Sequence, residues 1–359
     1  MFTNKTVVHS IKLKYKEERM TSYLNYRPEW IREDFVDFLA EKIHPTLAWK
    51  KVKASIQLVQ PLSEDFFEIH LKPNQNFNSK LFQAGQSILV TVVIGGIRLQ
   101  RSYSIVEFSD AGNIVIAVRV QGQVSEHLSR LSVADVVEIS QAQGDFILDE
   151  ALEPVVLIAS GSGITAIYSL LKQALQTHSA PIDLLYFTRD DAFHVKLQQL
   201  ADQYDHFNYH HFNTTQIKQH LSEQLLEKTV PHFKVAKVYA CGATAMMKEL
   251  NKIFTELNIH SQLKQEYFQI MMDENIKQQP VTFLRSQQEF EAQQSLLVSA
   301  EQAGLRPAHG CRMGICNACV CTKISGSTKN MLTGEIQHES NSQIKLCISQ
   351  AVSPVVINL

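Results

Sequence analysis

The chain has 359 residues, of which 45% are hydrophobic and 19% charged, and this length predicts two or three domains with apolar cores. Its formal charge of −2 excludes a strongly basic nucleic-acid binder, and no run of about 18 apolar residues predicts a membrane-spanning helix. Five of the six cysteines lie between Cys311 and Cys347, and the start of the chain lacks a secretory-signal pattern. Both features predict a cytoplasmic protein with a metal site rather than a secreted disulfide scaffold.

Residues 1–45 are predicted to form a helical N-terminal extension. Five basic residues fall between positions 5 and 19, and apolar residues then follow at helical spacing from Trp30 to Ile43, where Pro45 ends the pattern. One interpretation is a helix that packs on the next domain. The other is a docking face for a membrane or a membrane-bound partner, with the basic stretch on anionic lipid at the inner face of the membrane.

Residues 46–150 contain short runs of β-branched and aromatic residues separated by turns rich in Gly, Pro and Asn. The runs lie at 54–59, 65–71, 87–94 and 113–120. This pattern predicts an antiparallel β-barrel.

Two motifs within this predicted barrel indicate a flavin site. In Arg101-Ser102-Tyr103-Ser104, the tyrosine ring can stack on an isoalloxazine, the Ser104 hydroxyl can reach flavin N5 and the arginine can neutralise a phosphate. The second motif follows about 20 residues later, where a helix predicted over 126–131 offers backbone N–H groups to a pyrophosphate. Its residues are Arg119, Gly122, Val124 and Ser125.

In this order, the two motifs resemble the flavin domain of ferredoxin–NADP reductase relatives. The resemblance implies that FAD is the flavin, with FMN as the alternative. It also implies that Ser104 acts at the flavin during hydride transfer.

Residues 151–270 alternate apolar runs with helical patterns, which predicts an α/β nucleotide domain with a parallel sheet. The apolar runs lie at 154–160, 182–188 and 237–241. Gly161-Ser-Gly163-Ile-Thr165-Ala166 joins the first run to a helix, as a dinucleotide-binding loop requires. The string resembles the G-x-G-I-T-P string of the same family, with alanine in place of proline.

Further residues of this domain are predicted to contact the nicotinamide cofactor or the flavin. The string from Tyr239 to Met247 resembles the family's Y-x-C-G-P-x-x-M-M, which implies that Cys241 and Gly242 lie near the nicotinamide C4; the alternative is a buried core cysteine. Arg189 follows the second apolar run and favours the 2′-phosphate of NADPH, whereas the neighbouring Asp190 and Asp191 favour the free ribose of NADH. Phe268 is predicted to cover the flavin or to be a core aromatic.

After a predicted polar linker at 271–280, residues 281–359 carry the spacing Cys311-x4-Cys316-x2-Cys319, and Cys347 follows after 27 residues. This spacing is typical of plant-type ferredoxins, in which four thiolates hold a [2Fe-2S] cluster. A structural zinc site, which usually pairs two CxxC knuckles, is the alternative. Cys321 is predicted to be a packed spare thiol and His309 a loop residue rather than a ligand.

The string from Gly310 to Cys319 resembles plant-type ferredoxins, and this implies an α+β β-grasp domain. Gly310 and Gly314 are expected where the backbone crowds the cluster. Acidic and basic residues nearly balance in this domain. The balance favours an electron donor attached in the same chain over electrostatic steering to a separate one.

The order of flavin barrel, nucleotide domain and ferredoxin resembles the reductase components of bacterial oxygenases and fatty-acid desaturases. The resemblance implies that NAD(P)H gives a hydride to the flavin, which divides the electron pair for the one-electron cluster. The acceptor is predicted to be a membrane fatty-acid desaturase or similar oxygenase, with a soluble Rieske-type or other hydroxylase as the alternative. A non-enzymatic redox carrier or sensor is a further alternative, which the intact flavin and nucleotide motifs disfavour.

Overall fold

The computed structural model describes residues 33–149, 153–215, 220–268 and 275–359, and the chain divides after Lys50 into two units. The first unit contains helix α1 (Glu33–Ile43). The Asp37 carboxylate accepts the backbone N–H of Trp49 at 2.6 Å, which ties the segment after the helix back to it. Phe35, Phe38 and Ile43 expose their side chains on α1. The predicted basic stretch at 5–19 lies outside the described residues.

The second unit begins with a closed antiparallel barrel of six strands in the order β1-β2-β5-β4-β3-β6. The strands are β1 (Val52–Pro61), β2 (Phe66–Pro73), β3 (Ser87–Ile94), β4 (Ile97–Phe108), β5 (Ile114–Arg119) and β6 (Val136–Ile139). Alternate side chains fill the interior, including those of Ile56, Ile69, Ile88 and Ile116, as a small barrel requires. The predicted barrel is confirmed.

Helix α2 (Gln123–Ser129) follows β5 and starts earlier than the predicted position 126. The difference comes from Ser125, whose hydroxyl oxygen accepts the backbone N–H groups of Gln121 at 2.9 Å and Gly122 at 3.1 Å. These bonds close the first turn and satisfy N–H groups that a helix start otherwise leaves unpaired.

A five-stranded parallel sheet follows the barrel, in the order β11-β10-β7-β8-β9, and it confirms the predicted α/β domain. Its strands are β7 (Val155–Ser160), β8 (Ile182–Thr188), β9 (Phe207–Asn213), β10 (Lys237–Cys241) and β11 (Leu263–Glu266). The helices are α3 (Ile164–Thr177), α4 (His194–Gln203), α5 (Glu223–Thr229) and α6 (Thr244–Glu256). Both faces of β7 and β8 are buried, which explains why these strands are continuous apolar runs.

The barrel and the nucleotide domain share one hydrophobic core. Phe66 of β2 contacts Phe193 at the start of α4, with ring centroids 5.7 Å apart. Nearby, the Lys196 ammonium of α4 is bonded to the buried Glu68 carboxylate of β2. The flavin and nucleotide domains are therefore joined by both apolar and ionic contacts.

The C-terminal domain combines a five-stranded sheet, ordered β13-β12-β19-β14-β17, with a small sheet ordered β16-β15-β18 and helix α7 (Leu296–Gln302). Its strands are β12 (Gln279–Phe283), β13 (Gln288–Ala292), β14 (Val320–Ser325), β15 (Thr328–Asn330), β16 (Ile336–Gln337), β17 (Ser342–Lys345), β18 (Ser349–Ala351) and β19 (Val355–Ile357). This arrangement confirms the predicted α+β fold. Residues 271–274 of the predicted linker lie outside the described residues. Among the helices in the described ranges, none has the length and hydropathy that a membrane span requires.

Candidate flavin and iron-sulfur site

A cavity of about 570 Å³ lies where the barrel, the nucleotide domain and the C-terminal domain meet. Its walls come from β4, the segment that runs from β5 into α2, the start of α3, Phe268 and the cysteine-rich loop 310–319, named here the cluster loop. The lining residues are Leu99, Arg101, Ser102, Tyr103, Ser104, Ala117, Arg119, Gln121, Gly122, Gln123, Val124, Ser125, Ser162, Thr165, Phe268, Cys311, Arg312 and Met313. One cavity thus brings together the predicted flavin motif, the nucleotide loop and the predicted cluster loop.

All four residues of the first flavin motif line this cavity from β4. Ser104 is 3% exposed, and its buried hydroxyl has no hydrogen-bond partner in the part of the chain that the structure describes. An unsatisfied buried hydroxyl is costly, so this oxygen fits a bound polar group such as flavin N5. Burial raises the pKa of Tyr103, which keeps its ring neutral for stacking. Arg101 donates to the backbone carbonyl of Gln100 at 2.7 Å.

The second flavin motif also lines the cavity, and its arginine forms ion pairs. Arg119 donates from one nitrogen to both carboxylate oxygens of Asp65 at 3.0 Å, and from another to Asp190 at 2.5 Å. Its guanidinium therefore links the barrel to the nucleotide domain. Gly122 and Val124 line the cavity, whereas the Ser125 hydroxyl is engaged with the backbone at the start of α2.

The nucleotide loop forms a single 3₁₀ turn, Gly161–Gly163, between β7 and α3. A Cβ atom on Gly163 would lie 2.1 Å from the carbonyl oxygen of Cys241, so only glycine lets α3 start this close to β10. The Thr165 hydroxyl donates to the Ser162 carbonyl at 3.1 Å, and both residues reach the cavity wall. The loop is therefore adjacent to the flavin site.

Cys241 ends β10 in a fully buried position and does not line the cavity. Gly242, which follows it, lies close against Ser160. Glu266 lies directly opposite Cys241 on β11, and burial raises the pKa of Glu266 to about 8. Burial, together with the nearby Glu266, also raises the pKa of Cys241 well above its usual value. Arg189 is exposed at the end of β8.

The four predicted cluster ligands lie in one region, and none of these four forms a disulfide bond. The Cys311 sulfur accepts the backbone N–H groups of Met313, Ile315 and Cys316, each at 3.3 Å. The sulfurs of Cys319 and Cys347 are 3.2 Å apart, well beyond the ~2.05 Å of a disulfide bond. A hydrogen bond from the Cys316 thiol and these N–H donors lower the pKa of Cys311. The N–H groups turned toward sulfur fit the negative charge that an iron–sulfur cluster carries.

The loop backbone also fits a cluster. Gly314 has φ +78°, and a Cβ atom on Gly310 would lie 2.9 Å from the Cys316 sulfur. His309 contacts Arg312, and Cys321 is buried on β14. Within the described ranges, no three His, Cys, Asp or Glu side chains are arranged to hold a metal ion. The cysteine spacing and the N–H donors to Cys311 support the cluster assignment.

Arg312 and Met313 line the flavin cavity, although the sequence motif indicated only their cysteine neighbours. Glu266 was likewise not predicted as a site residue. The sequence gives no signal for it, because β11 reads Leu-Lys-Gln-Glu and nothing in that polar strand indicates that Glu266 is buried. The sequence contains no signal that Arg312 and Met313 line this cavity, because that depends on how the C-terminal domain packs against the barrel.

Comparison with protein families gives three matches along the chain. An oxidoreductase FAD-binding domain matches residues 53–147, an oxidoreductase NAD-binding domain matches 157–252, and a 2Fe-2S iron-sulfur cluster binding domain matches 281–352. These ranges contain the flavin motifs, the nucleotide loop with Cys241, and all four predicted cluster ligands.

Two relatives are similar over most of the chain. An NADPH oxidoreductase of Mycobacterium tuberculosis is 26% identical over 342 residues, 88% of this chain and 86% of that protein. A phthalate dioxygenase reductase of Burkholderia cepacia is 26% identical over 320 residues, 85% of this chain and 96% of that protein. A solved phthalate dioxygenase reductase structure has a TM-score of 0.58 and 25% identity, and the match covers 86% of this chain and 97% of that one.

The fold, the shared cavity and these matches lead to one conclusion about the whole chain. It is an NAD(P)H-dependent flavin oxidoreductase that belongs to the ferredoxin–NADP reductase family and carries its own C-terminal 2Fe-2S ferredoxin domain.

Proposed function

We propose that the protein takes electrons from NADPH onto FAD and passes them singly through the cluster to an oxygenase. The observation that carries this proposal is the single cavity lined by the flavin motif, the nucleotide loop and the cluster loop. A bound flavin accepts two electrons as a hydride and releases them one at a time, which matches a one-electron cluster. The chain's own residues would position and enclose the cofactors: Tyr103 would stack on the flavin, Ser104 would donate a hydrogen bond to it and Phe268 would cover it.

The choice of FAD rests on the match to an FAD-binding domain and on the segment from Gly122 to Val124, which lines the cavity next to β4. The backbone N–H groups of Gln123 and Val124, at the start of α2, would face the pyrophosphate of FAD, which FMN lacks. Release of the flavin by denaturation, followed by chromatography against FAD and FMN standards, tests the choice. FMN in the released fraction would contradict it.

The choice of NADPH rests on Arg189 and Asp190. Asp190, which could bind a free ribose, is already bonded to Arg119, whereas Arg189 is exposed at the end of β8 where a 2′-phosphate would bind. Arg189→Ala is expected to raise KM for NADPH by about tenfold, because it removes roughly one charged contact with the 2′-phosphate. KM for NADH is expected to stay unchanged. Equal changes for the two donors would contradict the choice.

The acceptor proposed first is an oxygenase, because one similar protein is the reductase of a dioxygenase and aligns along nearly its whole length. A soluble Rieske-type dioxygenase and other hydroxylases belong to this class. Anaerobic titration with NADPH and, separately, NADH tests the electron path. The proposal expects flavin and cluster absorbance to bleach together, and no bleaching with either nicotinamide would point to a non-enzymatic carrier or sensor.

A membrane fatty-acid desaturase is the second proposed acceptor, because α1 exposes Phe35, Phe38 and Ile43 after a basic stretch in the sequence. This proposal places the protein in the cytoplasm, peripherally at the inner face of the membrane. The test is co-sedimentation with vesicles of phosphatidylglycerol. It compares the wild type, a variant in which Phe35, Phe38 and Ile43 are all replaced by serine, and a chain that lacks residues 1–45. The proposal expects only the wild type to sediment, and equal sedimentation of all three would contradict it.

A further inference from the structure

The cluster loop contacts the barrel at two points, one before and one after the loop residues that line the flavin cavity. A Cβ atom on Gly310 would lie 3.1 Å from Leu89 of β3, and one on Gly144 would lie 3.4 Å from Ile315. Cys311, Arg312 and Met313 come between these two contacts and form the cavity wall. A change in the position of this loop therefore changes both the flavin cavity and the distance from the flavin to a cluster ligand.

Glu301 holds this loop through Arg312. One guanidinium nitrogen of Arg312 donates to a Glu301 oxygen at 2.9 Å, and another donates to the second oxygen at 2.6 Å. Such a bidentate pair fixes direction as well as distance. Glu301 itself is on α7, whose residues Leu296, Leu297 and Ala300 are buried in the core of the C-terminal domain. The pair therefore connects the loop to a firmly packed element.

The backbone at Arg312 needs such support. Its φ is +59°, in the left-handed region that costs free energy for any residue with a side chain. Gly314, two residues later, takes a similar conformation without that cost. The two hydrogen bonds from the Arg312 side chain to Glu301 offset part of this cost.

We propose that Glu301 is a positioning residue, which, through the bidentate pair with Arg312, holds the cluster loop as one wall of the flavin cavity and so sets the rate of flavin-to-cluster transfer. This inference rests on the proposed electron path from flavin to cluster. The pair is partly exposed, with Glu301 at 27% and Arg312 at 37%, and exposed pairs add little to global stability. Its loss is therefore expected to affect the position of the loop more than the folding of the domain.

The test uses the full-length protein with flavin and cluster, mixed anaerobically with NADPH in a stopped-flow instrument. Glu301→Ala is expected to leave flavin reduction unchanged and to slow cluster reduction several-fold, because electron transfer slows as the distance between the two carriers grows. In flavin-depleted protein that retains its cluster, the dissociation constant for added flavin is expected to rise several-fold. Glu301→Gln, which keeps one hydrogen-bond acceptor for Arg312, should recover part of both losses.

Glu138→Ala is the matched control. Glu138 forms an Arg–Glu pair with Arg98 at 2.9 Å on the barrel, is 28% exposed and does not line the cavity. Unchanged cluster reduction in Glu301→Ala, or equal slowing in Glu138→Ala, would overturn the inference. Electron paramagnetic resonance of the reduced protein shows whether Glu301→Ala retains its cluster. If it does not, cluster reduction is compared with Glu301→Gln instead, and a wild-type rate in that variant overturns the inference. Failure of NADPH and NADH to reduce the wild-type flavin would instead contradict the proposed function.

Discussion

Cys241 and Glu266 lie opposite each other on neighbouring parallel strands, at the carboxyl end of the nucleotide sheet. Both side chains are buried, and one carboxyl oxygen of Glu266 has no hydrogen-bond partner among the described residues. Burial raises the pKa of Glu266 to about 8, so this carboxyl group is protonated at neutral pH. The proposed nicotinamide position at Cys241 is therefore next to a neutral carboxylic acid rather than a carboxylate.

This relationship predicts how stability depends on pH. Because the folded-state pKa of Glu266 lies above its unfolded value of 4.5, its contribution is complete below pH 4.5 and is lost as the pH rises through about 8. In the wild type, this lowers the free energy of unfolding by on the order of a few kcal/mol, at about 1.4 kcal/mol per pKa unit. Glu266→Gln mimics the protonated form, and its free energy of unfolding is expected not to fall in this way. Unfolding midpoints measured from pH 5 to 9 test this. Parallel curves for the two proteins would contradict it.

Ser104→Ala is expected to slow flavin reduction by NADPH by about 10- to 100-fold while flavin content stays the same. The reason is that the Ser104 hydroxyl lies buried in the cavity wall beside Tyr103 and has no hydrogen-bond partner among the described residues. Loss of one positioned donor has about this effect on a transition state. Stopped-flow absorbance of the flavin measures the rate. Ser109→Ala, in the turn after β4, is the control and should match the wild type.

Asp190→Asn is expected to lower the free energy of unfolding by about 1–2 kcal/mol, less than the ~3–5 kcal/mol for breaking a fully buried pair. Arg119 and Asp190 are only 15% and 19% exposed, and Arg119 keeps Asp65 as a second partner. Urea unfolding of the flavin-loaded protein measures the loss. Asp191→Asn is the control, because Asp191 is 69% exposed and 3.8 Å from its partner His211. A loss as large in the control would show that the Arg119 pair does not join the domains.

The roles of Arg119 and Arg312 show what the sequence does and does not predict. The barrel strands and the buried strands β7 and β8 are local apolar patterns, and the structure confirms them. The cysteine spacing is a local motif, and it lies within the match to a 2Fe-2S cluster binding domain. The sequence around Arg119 gives no signal for its ion pair with Asp190, because the two residues are 71 positions apart. Arg312 reaches the flavin cavity only because the C-terminal domain is placed against the barrel, and no periodicity encodes that placement.

Cys316→Ser is expected to abolish the visible absorbance of the cluster and cytochrome c reduction, and to leave ferricyanide reduction by the flavin near the wild-type rate. Three remaining thiolates do not complete the four-ligand set of a [2Fe-2S] cluster. Cys321→Ser is the control: Cys321 is a buried neighbour on β14, and the variant should keep its cluster. Loss of the cluster in Cys321→Ser but not in Cys316→Ser would contradict the ligand assignment.

Rapid anaerobic mixing of the wild-type protein with NADPH tests the electron path most directly. We expect flavin absorbance to fall first and cluster absorbance to fall afterwards. In Cys316→Ser, we expect the flavin phase alone. Cluster absorbance that falls before the flavin, or that never falls while the flavin is fully reduced, would contradict transfer through the shared cavity.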